Sequence, residues 1–298
     1  MRVLVTGASG LIGRHTVAAL REAGHEPRTF HRGEGLSGVE HVRGDVADAL
    51  ALRGAARGCQ AVVHLAGRGD VAESRREPLR YAQLHATGTL HALEAARGAG
   101  ASFVFASTQR VYPLSPALCR EDDAPAPDSP YGYAKWVAEL WCRMEAEHLG
   151  VPTTVLRFFS VYGPWQQPNG LSGVVAIFVR NALEGKPLVV QSSGKRDFTD
   201  ARDVARGILL TVQQPSAAPR VMNVATGIGT SFRALADRVL EMTGSQSAIA
   251  EDPTEPLGRD LVADVTRARD ELGFRAETGL REGLERYIDW AAAHGIAA

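Results

Sequence analysis

The chain has little cysteine and no long apolar run. Its three cysteines, Cys59, Cys119 and Cys142, lie far apart with no CxxC spacing, which excludes a disulfide framework and a cysteine-based zinc site. Its nine histidines show no H-E-x-x-H or related spacing, so we expect no metal. No stretch approaches the roughly 18 to 20 apolar residues that span a bilayer, and the first residues lack a secretory pattern. We therefore expect a reduced, cytoplasmic protein with no membrane partner.

The chain also lacks a large net charge of either sign. The 33 basic and 34 acidic residues leave a formal charge of -1, which gives no electrostatic footprint for nucleic acid. Hydrophobic residues make up 45% of the 298 residues, which is typical of a folded soluble protein. The composition therefore favours a small-molecule ligand held in a local pocket.

Short apolar runs alternate with helix-length periodic segments, and this alternation predicts βαβ units with a parallel sheet. The expected fold is a doubly wound Rossmann sheet with a smaller C-terminal α/β lobe that binds substrate. We assign residues 1–158 plus 197–225 to the dinucleotide-binding domain and residues 159–196 plus 226–298 to the substrate-binding domain. The six predicted strands are Val3–Val5, Pro27–Phe30, Val39–Val42, Ala61–Leu65, Phe103–Ala106 and Thr153–Leu156.

A glycine-rich turn directly follows the first predicted strand and precedes the first predicted helix. Gly7, Gly10 and Gly13 would permit a tight turn, a close approach of the backbone to a pyrophosphate, and close helix–strand packing. Leu11 and Ile12 begin the helix whose N-terminus would face the phosphates. The turn predicts a dinucleotide site.

The end of the second strand bears on the choice of cofactor. His31 and Arg32 stand where an NAD site usually carries a carboxylate, so they favour the 2′-phosphate of NADP over NAD. Glu34 leaves NAD open, because its carboxylate could turn back to a ribose hydroxyl. Asp45, after the third strand, could accept a hydrogen bond from the adenine amino group or cap a helix.

Tyr131 and Lys135 are four residues apart at the start of a predicted helix, so they share one helix face. A neighbouring ammonium and an oxidised nicotinamide would lower the phenol pKa toward the working range of a proton acceptor. Ser107 and Thr108 end the fifth strand, at the sheet edge where such folds bind ligands, and their hydroxyls could bond the same substrate oxygen.

The motifs taken together resemble the extended short-chain dehydrogenase/reductases, in the nucleotide-sugar epimerase/dehydratase branch. The resemblance implies that Thr108, Tyr131 and Lys135 are catalytic and that Lys135 also bonds the nicotinamide ribose. It further implies a nucleotide-diphosphate sugar as substrate, and a homodimer through the helix pair 80–98 and 131–149. Its remaining cofactor positions are Val46, Leu65, Ala66, Gly67 and Phe158. The blocks that carry it are Gly7–Gly13, His64–Gly67, Val71–Tyr81, Ser107–Tyr112, Pro130–Lys135, Arg157–Pro164, Gly194–Thr199 and Asp203–Val204.

Two positions depart from the family pattern, and two arginines are candidates to bind the substrate diphosphate in place of residues that this chain lacks. His85 replaces an Asn on the cofactor side, and Ser160 replaces an Asn that commonly donates to the substrate diphosphate. Arg196 and Arg259 are the candidate ligands of that diphosphate, with solvated surface arginines as the alternative.

The residues after Thr108 help to choose a reaction. Dehydratases of this family carry Asp-Glu there, whereas this chain has Gln109 and Arg110, which supply no carboxyl acid or base. We therefore predict a 4-epimerase that oxidises C4 transiently, since the Val71–Tyr81 block resembles epimerases more than reductases. The alternatives are an NADPH-dependent 4-ketoreductase, favoured by Arg32, and a non-catalytic dinucleotide-binding protein, disfavoured by the intact Tyr131 and Lys135.

Overall fold

A computed structural model of the chain describes residues 1–113, 118–167, 173–191, 193–252 and 260–296. Seven parallel strands form the central sheet, with the third, second and first strands followed by the fourth, fifth, sixth and ninth. This order confirms the predicted doubly wound α/β fold. The strands are β1 (Arg2–Thr6), β2 (Glu26–His31), β3 (Glu40–Arg43), β4 (Ala61–His64), β5 (Ser102–Thr108), β6 (Thr153–Phe158), β7 (Leu188–Val190), β8 (Lys195–Asp197), β9 (Arg220–Val224), β10 (Gly229–Ser231) and β11 (Ile249–Glu251).

The sheet contains one strand more than the six predicted, namely β9 beside β6. Polar Asn223 interrupts the apolar pattern of β9, and for this reason the strand was not predicted from the sequence. In the fold, Asn223 is fully buried, accepts a hydrogen bond from Tyr112 Oη at 2.6 Å and donates to the Cys119 carbonyl oxygen at 2.9 Å. Partners distant in sequence therefore satisfy a residue that looked out of place in a strand.

Helices cover both faces of the sheet because its strands are apolar on both sides. Val3 and Val5 of β1 join Leu20 in one core, and Leu4 between them joins Leu93 in the core on the opposite face. No helix among the described residues is both long and apolar enough to cross a membrane. The helices are α1 (Leu11–Glu22), α2 (Ala49–Ala56), α3 (Val71–Arg76), α4 (Pro78–Ala82), α5 (Gly88–Ala99), α6 (Pro130–Leu149), α7 (Val174–Leu183), α8 (Ala201–Gln213), α9 (Phe232–Thr243), α10 (Thr266–Leu272) and α11 (Leu280–Ala293).

The helix predicted over residues 80–98 is interrupted. A π-helical turn, Gln83–Thr87, separates α4 from α5. The Thr89 hydroxyl donates to the His85 carbonyl oxygen at 2.5 Å, which satisfies an acceptor within the altered turn. Turns of this kind are frequent at functional sites, and this one borders the cavity described below.

A third core lies outside the central sheet and joins α7, α9 and α11, with Phe178, Leu235 and Tyr287 fully or almost fully buried. Two short strand pairs, β7 with β11 and β8 with β10, belong to the same part of the chain. Helix α10 packs differently, because Ala268 and Leu272 belong to the core under the central sheet. The division into two domains at the residues given above stays a prediction.

Candidate active site

A cavity of about 1450 Å³ opens at the carboxyl edge of the central sheet. Parallel strands bring their carboxyl ends to one edge, so the loops after β1, β2, β4 and β5 all reach it. Phe178 and Phe232 line the far wall of the cavity, from helices outside the sheet. The cavity therefore spans the two parts of the chain for which separate binding roles were predicted.

The glycine turn between β1 and α1 forms one wall of this cavity. Gly7 has φ +67°, and a Cβ atom there would lie 2.7 Å from the Ala66 backbone nitrogen. A Cβ atom on Gly13 would collide with the Gly7 carbonyl oxygen. Gly10 caps α1 without a side-chain hydrogen bond, and the first turn of α1 carries no acidic residue. The positive end of α1, with Leu11 and Ile12 in its first turn, therefore suits a diphosphate.

The loop after β4 is held against this turn by Thr6. The Thr6 hydroxyl oxygen accepts hydrogen bonds from the backbone nitrogens of Leu65 and Ala66, both at 3.2 Å, and bonds His64 Nδ1 at 2.8 Å. Leu65, Ala66 and Gly67 line the cavity, as does Phe158 at the end of β6. The predicted cofactor positions from β1, β4 and β6 thus share one cavity.

At the opposite end of the glycine turn, the end of β2 meets the loop after β3. His31 is buried and contacts His41 with ring centroids 4.3 Å apart and ring planes tilted by 37°. The exposed Arg32 guanidinium lies 3.6 Å from the Asp45 carboxylate. Asp45 accepts from the Ala47 backbone nitrogen. Asp48, and not Asp45, caps α2, so the capping alternative for Asp45 is wrong. His31, Arg32, Asp45 and Val46 all line the cavity.

The proposed catalytic side chains converge from α6 and β5. Ser129 caps α6 by accepting from the Gly132 nitrogen, so Tyr131 stands in the first turn and Lys135 one turn later. The Lys135 ammonium donates to the Ala106 carbonyl oxygen at 2.7 Å. The Thr108 side chain lies close enough to Tyr131 to lower the pKa of the phenol in part. Thr108, Tyr131 and Lys135 all line the same cavity.

Burial, and not a neighbouring ammonium, dominates the electrostatics of this group. Burial raises the pKa of Tyr131, while the Thr108 side chain and the positive charge of Arg110 partly offset the rise. Burial also lowers the pKa of Lys135 to about 8. Desolvation penalises both charged forms, so a lowered Tyr131 pKa in the presence of Lys135 and an oxidised nicotinamide stays a prediction. Among the charged side chains, Arg110 is the one that lowers the Tyr131 pKa here.

His85 lies beneath Tyr131 in the π-helical turn. Its imidazole is 1% exposed, Nε2 lies 3.0 Å from the Arg68 carbonyl oxygen, and its ring centroid is 5.3 Å from that of Tyr131. Burial and the nearby Lys135 charge hold the His85 pKa well below its usual range, so the ring is neutral. A Cβ atom on Gly67 would lie 2.5 Å from His85 Cε1, which shows how closely the ring fills this wall.

The Ser107 hydroxyl is engaged inside the protein. It donates to the Glu139 carboxylate, and Arg157 binds the same carboxylate through Nε at 3.0 Å and Nη2 at 2.6 Å. All three residues are buried. Ser107 borders the cavity, but its proton is not available to a substrate oxygen, so any substrate contact would use its remaining lone pair.

The candidate diphosphate ligands differ in their surroundings. Ser160 has a left-handed backbone with φ +26°, lines the cavity, and accepts a hydrogen bond from Gln109 Nε2 at 3.1 Å. Arg196 is only 3% exposed and also lines the cavity, with its guanidinium 5.2 Å from the centroid of the Phe232 ring. The alternative of a solvated surface arginine is therefore wrong for Arg196. Arg259 lies outside the described residues.

Within the part of the chain that the structure describes, no group of three or more His, Cys, Asp or Glu side chains is arranged to hold a metal ion. Cys59, Cys119 and Cys142 are buried and unpaired, and burial raises the pKa of each thiol. These thiols are therefore poor nucleophiles and poor metal ligands at neutral pH.

Comparison with known families gives one match that covers most of the sheet. The model of the NAD dependent epimerase/dehydratase family matches residues 3–225. This range contains the glycine turn, Thr108, Tyr131 and Lys135.

Individual proteins match over nearly the whole chain. The chain is 32% identical to a UDP-glucose 4-epimerase of Mycolicibacterium smegmatis, covering 97% of this chain and 98% of that protein. A solved UDP-glucose 4-epimerase from Thermotoga maritima, with UDP-glucose, superposes with a TM-score of 0.91 at 31% identity and 99% coverage of both chains. MoeE5 in complex with UDP-glucuronic acid and NAD also superposes with a TM-score of 0.91, at 33% identity, covering 99% of this chain and 100% of MoeE5.

Proposed function

Because the chain belongs to the NAD dependent epimerase/dehydratase family, we propose that this enzyme is a nucleotide-sugar 4-epimerase. The observation that carries the proposal is the convergence of Thr108, Tyr131 and Lys135 on a cavity whose other wall is the glycine turn. The similar solved proteins bind UDP-glucose or UDP-glucuronic acid, which supports a nucleotide-diphosphate sugar as the substrate.

In this proposal the chain's own residues handle the proton and hold the sugar. Tyr131 accepts the proton of the C4 hydroxyl and later returns it, while the Thr108 hydroxyl bonds the same oxygen. A nicotinamide bound beside these residues would supply the redox chemistry, as acceptor and donor of the hydride at C4. Ser160 and Arg196 hold the diphosphate, and Arg196 is already stacked on Phe232 in a wall of the cavity.

The cofactor itself fits the residues present. The glycine turn leaves no room for a Cβ atom at Gly7 or Gly13 and exposes the N-terminus of α1 without a competing carboxylate. Lys135 holds the nicotinamide ribose, and the domain of residues 1–158 plus 197–225 carries the dinucleotide. Arg32 gives NADP measurable affinity beside NAD, although Asp45, 3.6 Å from the guanidinium, opposes a 2′-phosphate. Titration of the cofactor-free enzyme with NAD and with NADP tests this point, and Arg32→Ala should weaken NADP alone.

An NADPH-dependent nucleotide-sugar 4-ketoreductase is the second candidate, and Arg32 is the observation that favours it. The two reactions differ in how the cofactor is handled. An epimerase retains its cofactor through the cycle, whereas a reductase must exchange it at every turnover. Dehydration is disfavoured because neither Gln109 nor Arg110 offers a carboxyl group, and Gln109 is bonded to Ser160.

The deciding experiment uses the purified enzyme with UDP-glucose, UDP-galactose and UDP-glucuronate, and separates the products by chromatography. We expect interconversion of C4 epimers without added cofactor, and its loss in Tyr131→Phe. Tyr133→Phe is the matched control, because Tyr133 lies on the same helix but is 53% exposed. Product formation that requires added NADPH and a 4-keto sugar would favour the reductase, and the absence of turnover with every nucleotide sugar would overturn both.

A homodimer through α4, α5 and α6 is part of the proposal. Leu79, Tyr133 and Leu140 are exposed apolar or aromatic side chains on α4 and α6, which supports a covered face. The three unpaired cysteines suit the cytoplasm. Sedimentation should give a dimer for the wild type and a monomer for Leu140→Arg, and a monomeric wild type would overturn this part.

A further inference from the structure

We propose that Arg110 selects a nucleotide sugar with a carboxylate at C6, that is, a nucleotide-linked hexuronate. The inference rests on the proposed function, because it assumes that the C4 hydroxyl of the sugar reaches Tyr131. Arg110 was not among the site residues expected from the sequence.

The backbone of Arg110 is fixed beside the proposed catalytic group. It lies in a single 3₁₀ turn, Gln109–Val111, directly after β5, and its nitrogen donates to the Thr108 hydroxyl oxygen at 3.2 Å. Its carbonyl oxygen packs on the first turn of α6 so closely that a Cβ atom on Gly132 would lie 2.5 Å from it. Arg110 is therefore held between the Thr108 end of β5 and the start of the helix that carries Tyr131.

The Arg110 side chain is half-buried, lines the cavity, and forms no hydrogen bond or ion pair with any described residue. Two other arginines of this cavity are paired with carboxylates. Arg68 Nε lies 2.8 Å from Glu73 Oε2, and Arg80 Nη1 lies 2.8 Å from Glu77 Oε2. A half-buried guanidinium without an anion is a site for one, because its positive charge has lost part of its hydration.

The position of this charge identifies the group that it would bind. Arg110 lines the same cavity as Tyr131, and its carbonyl oxygen packs against Gly132, the residue after Tyr131. Its charge accordingly lowers the pKa of the phenol in part. Tyr131 acts at C4, and the diphosphate is attached at C1, on the opposite side of the sugar ring. An anion next to C4 must therefore come from a substituent of the sugar, and a carboxylate on C5 is the acidic group that hexuronates carry there. Arginine binds such a carboxylate through two parallel hydrogen bonds.

The test compares UDP-glucuronate with UDP-glucose, which differ at C6 alone, in the wild type and in Arg110→Gln. We expect the wild type to prefer the uronate, and kcat/KM for the uronate to fall about 10- to 100-fold in the variant, mainly through KM. For UDP-glucose the loss should be clearly smaller and should appear in kcat, because this substrate loses only the effect of the Arg110 charge on the Tyr131 pKa. Arg110→Lys should recover part of both losses. Arg80→Gln is the matched control, since it removes another cavity arginine, and it should leave the ratio of the two kcat/KM values within about twofold. Equal losses for both substrates, or no loss for the uronate, would overturn the proposal.

A binding measurement separates this inference from the proposed reaction. Calorimetric titration of the Tyr131→Phe enzyme, with its cofactor bound, measures affinity for both nucleotide sugars without turnover. Tighter binding of UDP-glucuronate that is lost in Tyr131→Phe/Arg110→Gln supports the role of Arg110 even if the wild type releases CO2 from C6 instead of epimerising C4. Equal affinities in Tyr131→Phe would overturn the role of Arg110 even if the wild type proves to be a 4-epimerase.

Discussion

The Lys135 ammonium donates a hydrogen bond to the Ala106 carbonyl oxygen at 2.7 Å and so ties α6 to the end of β5. The bond fixes the rotation of the helix about its axis, because Tyr131 lies one turn before Lys135 on the same face. Lys135 is only 4% exposed, so a charge that the proposed function requires lies in a place that is unfavourable for folding.

Replacing Lys135 by Met removes this buried charge and keeps the length of the side chain. We expect turnover to fall more than about 100-fold. The free energy of unfolding at pH 7 should rise by about 1–2 kcal/mol, because the pKa of Lys135 is lowered to about 8 while the freed Ala106 carbonyl offsets part of the gain. Urea unfolding and a turnover assay measure both effects.

The wild type and Lys135→Met should also differ in how their free energies of unfolding change with pH. Between about 8 and the usual 10.5, Lys135 binds a proton in the unfolded chain but not in the folded one, so the stability of the wild type rises with pH. Lys135→Met lacks this slope, and its advantage should shrink as the pH rises through that window. Parallel stability curves for the two proteins would contradict the assignment of a buried, proton-releasing ammonium.

Gly13→Ala places a methyl group against the Gly7 carbonyl oxygen, and backbone on both sides leaves it no space. We expect a loss of about 1–3 kcal/mol in stability and at least about tenfold weaker cofactor binding, since the turn must open. Gly54→Ala in α2 is the control, because no atom lies within 4 Å of its new Cβ. This control should be stabilised by about 0.5–1 kcal/mol through helix propensity, with unchanged cofactor affinity.

The buried pair of Glu139 and Arg157 should respond far more strongly than a surface pair. Glu139→Gln leaves the Arg157 guanidinium, itself 3% exposed, without its counter-charge, and the expected loss is about 3–5 kcal/mol. Glu94→Gln breaks the more exposed pair with Arg53 and should lose less than about 1 kcal/mol. Equal losses in chemical denaturation would refute the burial argument.

Gly67 and His85 should be energetically coupled. A methyl group on Gly67 would lie 2.5 Å from His85 Cε1, so Gly67→Ala alone should lose about 1–3 kcal/mol. Gly67→Ala/His85→Ala lacks the imidazole ring that the new methyl group would meet. The free energy of unfolding of this double variant should therefore be at least about 0.5 kcal/mol higher than the sum of the two single losses predicts. Strict additivity would mean that the ring is not held against this glycine.

Several features could be read directly from neighbouring residues. The glycine turn was predictable because Gly7 has a positive φ and Gly13 packs against the backbone of the turn itself, between β1 and α1. Tyr131 and Lys135 could be placed together because the helical repeat alone sets residues four apart on one face. The alternation of apolar runs and periodic segments likewise predicted six of the seven strands in the sheet.

Other features depended on parts of the chain that meet only in the fold. Asn223 fits β9 because Tyr112 and the Cys119 carbonyl satisfy it. Burial raises the Tyr131 pKa, and the sequence alone does not show how deeply the phenol is buried. Arg110 became a site residue only when β5 and α6 brought it beside Tyr131.

The amino-acid sequence by itself thus determined the fold class, the position of the glycine turn and the side chains that we propose as reactive. Only the tertiary structure decided which charges lack a partner, which groups are desolvated and which side chains share a cavity. The physical reason is that backbone preferences act between neighbours in the chain, whereas burial and electrostatic fields are sums over segments far apart in sequence.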